Sequence, residues 1–137
     1  MTIRGNINWH GRTILIVEDE EVCFSYLDVL LKPTQATIFH AIEGQQAVNM
    51  CVSHPEIDVV LMDIRLPGMD GLEATRKITS QRNDLPVIAQ TAYASEDDQR
   101  AAFSSGCWEF IAKPIRANEM IALIKKYLEK PSSKNQD

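Results

Sequence analysis

The chain has 137 residues, 45% of them hydrophobic, and a formal net charge of −5. This length suits one domain with its own core, and the acidic charge argues against generic binding to nucleic acid or to an anionic membrane surface. Three scattered cysteines without metal-ligand spacing indicate reduced thiols in a cytoplasmic protein. No apolar run approaches the roughly 20 residues of a membrane-spanning helix.

The first third of the chain predicts a tail, a strand and a helix. Residues 1–11 are polar and lack a period, which indicates a linker or tail. Residues 13–17 form an apolar, β-branched run that predicts a strand buried on both faces. Apolar residues at helical spacing then predict a helix that Pro33 ends. We expect its inner face to consist of Val22, Tyr26, Val29 and Leu30, widened by Phe24, Leu27 and Leu31.

The middle of the chain predicts an edge strand, a helix and a central buried strand. Residues 37–41 alternate in polarity as an edge strand does, and a helix follows Gly44. An apolar run at 59–62 predicts a buried strand that Asp63 closes. Residues 67–71 contain one proline and two glycines and predict a turn, because Pro fixes φ and Gly allows positive φ. Asp70 and Glu73 then predict a capped helix start.

The last third repeats the same alternation. A fourth strand ends at Thr91, and Ser95 with three following acids predicts a helix start. A fifth strand at 108–112 ends at Lys113, a last amphipathic helix runs to Leu128, and residues 131–137 are predicted to be a disordered tail. Five alternations of strand and helix with short connections predict an α/β domain, with a parallel sheet covered by helices on both faces.

Polar side chains follow four of the five predicted strands. Glu18 and Asp19 follow the first, Asp63 the third, Thr91 the fourth and Lys113 the fifth. Each alone is an ordinary helix start, turn or surface residue, but ligands of open parallel sheets bind beyond the carboxyl ends of the strands. Three close carboxylates repel one another and favour a hard divalent cation, Mg²⁺ by default. The set therefore predicts a metal site at this edge of the sheet.

The same residues can carry phosphoryl transfer. Asp63 is a carboxylate nucleophile that can form an aspartyl phosphate once a cation offsets the local negative charge. The ammonium group of Lys113 can pair with one phosphoryl oxygen, and the Thr91 hydroxyl can donate to another. The sequence thus contains the groups that stabilise an in-line phosphoryl transfer.

Together these motifs resemble the receiver domain of two-component response regulators. Glu18-Asp19 resembles the acidic pair of that family, Asp63 its phosphoacceptor, Thr91-Ala92 its switch threonine and Lys113-Pro114 its lysine with a usually cis proline. The resemblance covers roughly residues 12 to 129. It implies a flavodoxin-like, doubly wound five-stranded parallel sheet of order 2-1-3-4-5 with five helices. Residues 12–130 would form the receiver domain, between the predicted linker and tail.

The resemblance also implies roles for these residues. A phosphorylated histidine of a sensor histidine kinase or histidine phosphotransfer protein would donate the phosphoryl group to Asp63. Asp19, Asp63 and the backbone carbonyl of Arg65 would ligate Mg²⁺, with Glu18 acting through water. The chain would be a signalling phosphoacceptor rather than an enzyme, since it would assist only its own phosphorylation and dephosphorylation.

Four residues are implicated in switching or in phosphoryl lifetime. Phosphorylation would draw Thr91 toward the phosphoacceptor and reshape the face of helix four, strand five and helix five, where a downstream protein would bind. Phe110 stands where many members carry a switch tyrosine, and an ordinary core role is its alternative. Arg65 and Tyr93 occupy the two positions that flank the path of the hydrolytic water, so we expect a long-lived phosphoryl group unless both are ordinary surface residues.

Other functions on this pattern are less well supported. A flavin mononucleotide carrier would need a Ser/Thr/Gly-rich phosphate loop where residues 18–21 are all acidic. A hydrolase that passes through an aspartyl phosphate usually needs an acid at the position of Arg65. A receiver-like module that binds partners without phosphorylation stays an alternative, although the intact site argues against it. Residues 9–12 and 86–94 resemble the corresponding segments of C-terminal receivers of hybrid histidine kinases. Two origins of the chain therefore stay open: a fragment of such a kinase, or a natural single-domain regulator.

Overall fold

A computed structural model describes residues 7–92 and 94–129. Strands and helices alternate along the chain, as the sequence predicts. The strands are β1 (Thr13–Val17), β2 (Thr37–Ala41), β3 (Ile57–Asp63), β4 (Val87–Thr91) and β5 (Glu109–Ala112). The α-helices are α1 (Glu21–Leu31), α2 (Gly44–Ser53), α3 (Gly71–Gln81), α4 (Glu96–Ser104) and α5 (Ala117–Leu128). A short 3₁₀ turn, Lys32–Thr34, follows α1. Within the two described ranges, no helix is long and apolar enough to span a membrane.

The five strands form one parallel sheet in the order β2-β1-β3-β4-β5, which confirms the predicted topology. The chain moves outward from β1 to β2, then crosses back and continues from β3 to β5. The order therefore reverses between β1 and β3. This reversal leaves a crevice beyond the carboxyl ends of the two strands, where ligands of such sheets bind.

Two apolar clusters cover the two faces of the sheet. Alternate strand residues point to opposite faces, so Leu15 and Val17 of β1 join the cluster under α2 and α3, whereas Ile14 and Ile16 join the cluster under α1 and α5. All five residues of β1 are buried, as expected for a central strand. The sheet is thus held rigidly from both sides, which fixes the positions of its strand ends.

The inner face of α1 differs from the prediction. Leu27, Leu30 and Leu31 are its buried residues. Val22 and Val29 were expected to face inward, as was Tyr26, but these side chains are 82%, 67% and 47% exposed, respectively. The helix carries apolar residues on two sides, so periodicity alone cannot choose between them. Packing against the sheet selects the leucines and leaves an apolar stripe in solvent.

The lead-in to β1 packs against the end of the domain. Ile7 and Trp9 are buried in the cluster under α1 and α5. The indole Nε1 of Trp9 donates a 2.7 Å hydrogen bond to Glu129, and Arg12 donates to the carbonyl of Leu128. Residues 7–11 were predicted to be linker or tail, yet the packed unit includes them. The division into 1–11, 12–130 and 131–137 otherwise stays a prediction, since 1–6 and 130–137 lie outside the described residues.

The predicted helix starts of α3 and α4 are both present. The Asp70 carboxylate accepts a 2.9 Å hydrogen bond from the backbone N–H of Glu73, and the Ser95 hydroxyl accepts one of 3.1 Å from the N–H of Asp98. These caps satisfy backbone donors that an α-helix leaves without partners in its first turn. They therefore set where each helix begins after the loops that carry the strand-end residues.

Candidate functional site

The end of β3 places Asp63 in the crevice, and a glycine holds the following loop against it. Asp63 is only 4% exposed. A Cβ on Gly71 would come within 2.2 Å of the carbonyl oxygen of Asp63, so the first residue of α3 must lack a side chain. Gly68 supplies the positive φ that the turn was predicted to need, at +69°. Gly71 is required for close approach instead, which a turn pattern in the sequence does not reveal.

Three carboxylates converge beside this strand end. Glu18, Asp19 and Asp63 each offer an oxygen, and these oxygens all lie within 4.8 Å of one another. They meet because β1 and β3 are neighbours, with Val17 opposite Met62 in the register. Three carboxylate oxygens at this separation suit a hard divalent cation such as Mg²⁺. The residues predicted for a metal site are therefore compatible with one.

Arg65 contributes its backbone to the same site. Its N–H donates a 3.0 Å hydrogen bond to Oδ1 of Asp63, which orients the carboxylate. Its guanidinium group lies 3.7 Å from the carboxylate of Asp98 on α4. The role of its carbonyl as a metal ligand stays a prediction.

Lys113 bridges two of the acids. Its Nζ lies 2.8 Å from Oε1 of Glu18 and 3.4 Å from Oδ2 of Asp63. The peptide bond between Lys113 and Pro114 is cis, as the resemblance implies. One ammonium group among three carboxylates leaves the site negatively charged. An additional cation would therefore be attracted to it.

Burial and charge shift the protonation of this cluster. Loss of solvent raises the pKa of Glu18 to about 7, the charge of Asp63 adds to the rise, and the hydrogen bond from Lys113 opposes it. Burial acts to lower the pKa of Lys113, but the hydrogen bond to Glu18 and the charge of Asp63 outweigh it and raise that pKa. Lys113 therefore remains charged at neutral pH, whereas Glu18 exchanges a proton near neutrality.

Thr91 lies at the end of β4, beside the acidic cluster. It is 1% exposed, and its carbonyl accepts a 2.8 Å hydrogen bond from the N–H of Lys113. This hydrogen bond joins the end of β4 to the residue that follows β5. Tyr93, predicted to flank the path of the hydrolytic water, lies outside the described residues.

Phe110 lies on β5, on the side of the sheet that faces α3. It is half-buried and packs against the cluster under α2 and α3. This position fits an ordinary core role, and it also leaves part of the ring free to move. The switch role of Phe110 stays a prediction.

Two features of the site were missed from the sequence. A cavity of about 570 Å³ lies beside the acidic cluster, lined by α1 and by the Pro114–Ile115 segment. Gln90 on β4, whose side chain is fully buried, is also among the residues around this cavity. A polar residue within the apolar run 87–91 was the available signal. Only the tertiary arrangement shows that a cavity lies over it.

The comparisons with known proteins agree with this geometry. The family model for the response regulator receiver domain matches residues 14–125. The receiver domain of a sensor histidine kinase from Pseudomonas aeruginosa, solved with a magnesium ion coordinated in the active site cleft, is 32% identical to this chain with a TM-score of 0.80. That match covers 88% of this chain and 99% of the Pseudomonas chain.

Two further solved structures have the same fold. One is the co-crystal structure of the Saccharomyces cerevisiae histidine phosphotransfer protein Ypd1 and the receiver domain of its downstream response regulator Ssk1. The matched chain is 26% identical with a TM-score of 0.78, over 86% of this chain and 89% of that one. A CheY-like receiver domain protein from Methanospirillum hungatei has a TM-score of 0.80 at 24% identity, over 86% of this chain and 94% of its own.

Proposed function

Because the chain belongs to the response regulator receiver domain family, we propose that Asp63 accepts a phosphoryl group from a phosphohistidine in a Mg²⁺-dependent two-component phosphorelay. The observation that carries this proposal is the convergence of Glu18, Asp19 and Lys113 on a buried aspartate at one end of the sheet. Asp63 is the modified residue, and the chain acts as a signalling phosphoacceptor rather than as an enzyme on other substrates.

The transfer step follows from the contacts of Asp63. A carboxylate oxygen attacks phosphorus, the bond between phosphorus and the histidine nitrogen breaks, and its electron pair stays on the imidazole. The backbone N–H of Arg65 holds Oδ1 in place, which leaves Oδ2 beside Lys113. The ammonium group of Lys113 then pairs with a phosphoryl oxygen, and the Thr91 hydroxyl donates to another.

The acidic residues supply the cation site for this step. Asp19, Asp63 and the Arg65 carbonyl would hold Mg²⁺, with Glu18 acting through water. When bound, Mg²⁺ offsets the negative charge that would otherwise repel a phosphoryl group. The magnesium ion in the active site cleft of the Pseudomonas receiver domain supports this assignment.

The donor is a sensor histidine kinase or a histidine phosphotransfer protein, a proposal supported by the yeast co-crystal structure. The exposed stripe of Val22, Tyr26 and Val29 on α1 suits its docking. The stripe continues to the loop after β5, because the Tyr26 hydroxyl donates a 2.7 Å hydrogen bond to the carbonyl of Ile115. A protein seated there would bury the stripe while placing its histidine over Asp63.

The output of the switch would appear on the opposite side of the site. Phosphorylation draws Thr91 toward Asp63 and Phe110 inward, and the face formed by α4, β5 and α5 then binds a downstream protein. The position of Thr91 at the end of β4, before the loop to α4, supports this coupling. We propose a cytoplasmic domain without nucleic-acid or membrane contact, in keeping with the net charge of −5.

The phosphorylation site is tested by intact mass. Incubation with phosphoramidate and Mg²⁺ should add one phosphoryl group to the wild-type chain and none to Asp63→Asn, and chelation of Mg²⁺ should prevent the gain. A mass gain that persists in Asp63→Asn would refute the assignment. A wild-type chain that is never modified would favour the alternative of a binding module that acts without phosphorylation.

The coupling is tested by NMR with Mg²⁺ and beryllofluoride, which mimics the phosphoryl group. Backbone shifts are expected across residues 91–105 and around Phe110 in the wild type. In Thr91→Ala they should be confined to the acidic cluster, because the new hydrogen bond from the threonine hydroxyl is absent. Confinement to that cluster in the wild type would contradict the coupling.

A further inference from the structure

The side chain of Gln90 is buried and makes no hydrogen bond to any residue that the structure describes. It is 0% exposed, and neither its Nε2 nor its Oε1 has a hydrogen-bond partner among the described residues. A buried carboxamide in this state has lost its bonds to water and gained none in return, so it costs free energy of folding. Such a group in a native structure calls for an explanation. A binding partner from outside the chain would supply one.

Gln90 is among the residues around the cavity beside the acceptor site, and its amide lies just beneath the cavity surface. Val87 and Ala89 point to the cluster under α2 and α3, whereas Ile88 points to the cluster under α1 and α5. Strand alternation therefore turns Gln90 toward α1. There it lines the cavity of about 570 Å³, together with Val22 and other side chains. Because Gln90 is 0% exposed, an incoming side chain reaches the amide when the side chains that line the cavity move aside.

The lining defines the kind of group that fits. The walls are mostly apolar, with Val22, Tyr26 and Ile115 among them. The two charged residues in the lining, Glu18 and Lys113, pair with each other, since Nζ of Lys113 lies 2.8 Å from Oε1 of Glu18. A carboxamide offers one acceptor and two donor hydrogens. The complement is a neutral group with both a donor and an acceptor, such as the side chain of Asn, Gln, Ser, Thr or Tyr.

The position of the cavity identifies where that side chain comes from. Glu18 and Lys113 line the cavity and also surround Asp63. The strands β3 and β4 are neighbours in the sheet, and Gln90 on β4 is directly opposite Asp63 on β3. A protein that brings a phosphohistidine to Asp63 therefore lies over the mouth of the cavity. Its surface is the one best placed to fill it.

We propose that this cavity is a subsite for one neutral, hydrogen-bonding side chain of the phosphodonor protein, and that Gln90 selects for that side chain. The inference rests on the proposed phosphorelay function and adds a specificity determinant to it. Gln90 acts here by binding the donor, because its amide bonds to the inserted side chain rather than to the reacting phosphoryl group.

The test compares a protein donor with a small one. Purified histidine phosphotransfer proteins, phosphorylated beforehand, are screened for transfer to the wild-type chain, and the fastest is used. Gln90→Met keeps the length of the side chain but removes its donors and acceptor. The ratio of the transfer rate from the protein donor to the rate with phosphoramidate should fall about tenfold in this variant. Because the variant loses a contact that binds the protein donor, its KM for that donor should rise while kcat stays at the wild-type value.

Two controls separate folding from recognition. Gln90→Met should unfold at a temperature no lower than the wild type, because an unpaired buried amide has been removed. Gln99→Met replaces an exposed glutamine on α4 and should leave the ratio at the wild-type value. In the complex with the unphosphorylated donor, the side-chain NH₂ signals of Gln90 should shift, whereas those of Gln99 should not.

The outcomes distinguish the two proposals. Transfer to the wild type with an unaltered ratio in Gln90→Met, or Gln90 signals that do not move, would overturn the subsite and leave the phosphorelay intact. Failure of every phosphotransfer protein to modify the wild type, while phosphoramidate succeeds, would overturn the protein relay and the subsite with it.

Discussion

The two flanks of the acceptor site differ in character. On the α1 side, Val22 and Tyr26 expose apolar surface beside a cavity of about 570 Å³. On the α3–α4 side, the rim is charged, with Arg65 at 3.7 Å from Asp98 beside a smaller cavity of about 430 Å³ that Asp70 also lines. Asp63 thus lies between two different surfaces. Covering the apolar surface of the α1 side with a protein is favourable, whereas the charged surface of the α3–α4 side is well hydrated without one.

This difference separates binding from motion. The apolar stripe lies on α1, whose opposite side is buried in the core. We therefore expect the stripe to keep its position when a protein binds to it. The ion pair between Arg65 and Asp98 is largely exposed, and such pairs contribute little to stability. We therefore expect the α1 flank to select the donor and the α4 flank to rearrange after transfer.

The largest expected effect comes from making the α1 flank polar. In Val22→Ser/Val29→Ser, transfer from a phosphotransfer protein relative to phosphoramidate should fall roughly thirtyfold, because about 2 kcal/mol of apolar burial is lost at the interface. Serine is neutral, so the charge near the acids is unaltered. Paired rate measurements with the two donors check the prediction.

Val52→Ser is the matched control for that experiment. Val52 is 55% exposed on α2, close to the 67% of Val29, but it lies away from the site. Its substitution should not alter the donor ratio. If Val52→Ser reduced the ratio as much as the double variant, the comparison between the two flanks would be lost.

The next effect concerns Glu18, which lies between the flanks. Its pKa is raised in the folded state from 4.5 to about 7 by burial, so the folded state holds the proton more tightly than the unfolded state. Its contribution to stability therefore falls as pH rises from about 4.5 to 7 and is constant above that. Without metal, the gain in stability of Glu18→Gln over wild type should be larger at pH 8 than at pH 5, by on the order of 2 kcal/mol.

Urea unfolding of both proteins at the two pH values measures this difference. Glu109→Gln is the control, because burial acts to raise the pKa of Glu109 but hydrogen bonds from Lys126 and Tyr127 lower it below its ordinary value. The contribution of Glu109 to the free energy of unfolding changes mainly below its ordinary pKa of 4.5. The effect of Glu109→Gln on that free energy should therefore be equal at pH 5 and pH 8. An equal effect for Glu18→Gln would show that Glu18 is not held protonated by the fold.

A smaller effect is expected for phosphoryl lifetime on the charged flank. Arg65→Ala, alone or with Tyr93→Ala, removes bulk from the predicted path of the hydrolytic water. Decay of the phosphorylated protein should accelerate up to about tenfold, which corresponds to about 1.4 kcal/mol in the barrier. Arg100→Ala, an exposed arginine on α4, should decay at the wild-type rate. No acceleration in the double variant would show that these side chains do not shield the phosphate.

The smallest effect should come from the ion pair of the charged flank itself. Asp98→Asn removes the partner of Arg65, whose side chain is 58% exposed. The free energy of unfolding should fall by no more than about 0.5 kcal/mol, and added salt should reduce the loss further. Urea midpoints at low and high salt provide the measurement. A loss of several kcal/mol would mean that this flank is rigid and would remove its distinction from α1.

Much of the fold and of the site followed from local signals in the sequence. The central strands β1 and β3 were predicted because buried parallel strands form apolar runs, and the edge strand β2 was predicted from its alternating polarity. The helix starts at Asp70 and Ser95 were predicted because a cap is a contact between residues three apart. The convergence of Glu18, Asp19, Asp63 and Lys113 was predicted because parallel strands end at the same edge of the sheet, so their strand-end side chains lie close together.

The features that the sequence did not predict are those that depend on which surfaces pack against each other. The sequence by itself determined the alternation of elements, the approximate ends of the strands and the convergence of polar side chains around Asp63, since these rest on short-range patterns and on the geometry of parallel sheets. Only tertiary packing decided that α1 turns its leucines inward and leaves Val22 in solvent, because both sides of the helix are apolar. It also placed Gln90 beneath a cavity and Trp9 against Glu129, contacts that join residues far apart in the chain. Long-range contacts of this kind depend on the relative positions of whole elements, which no local pattern encodes.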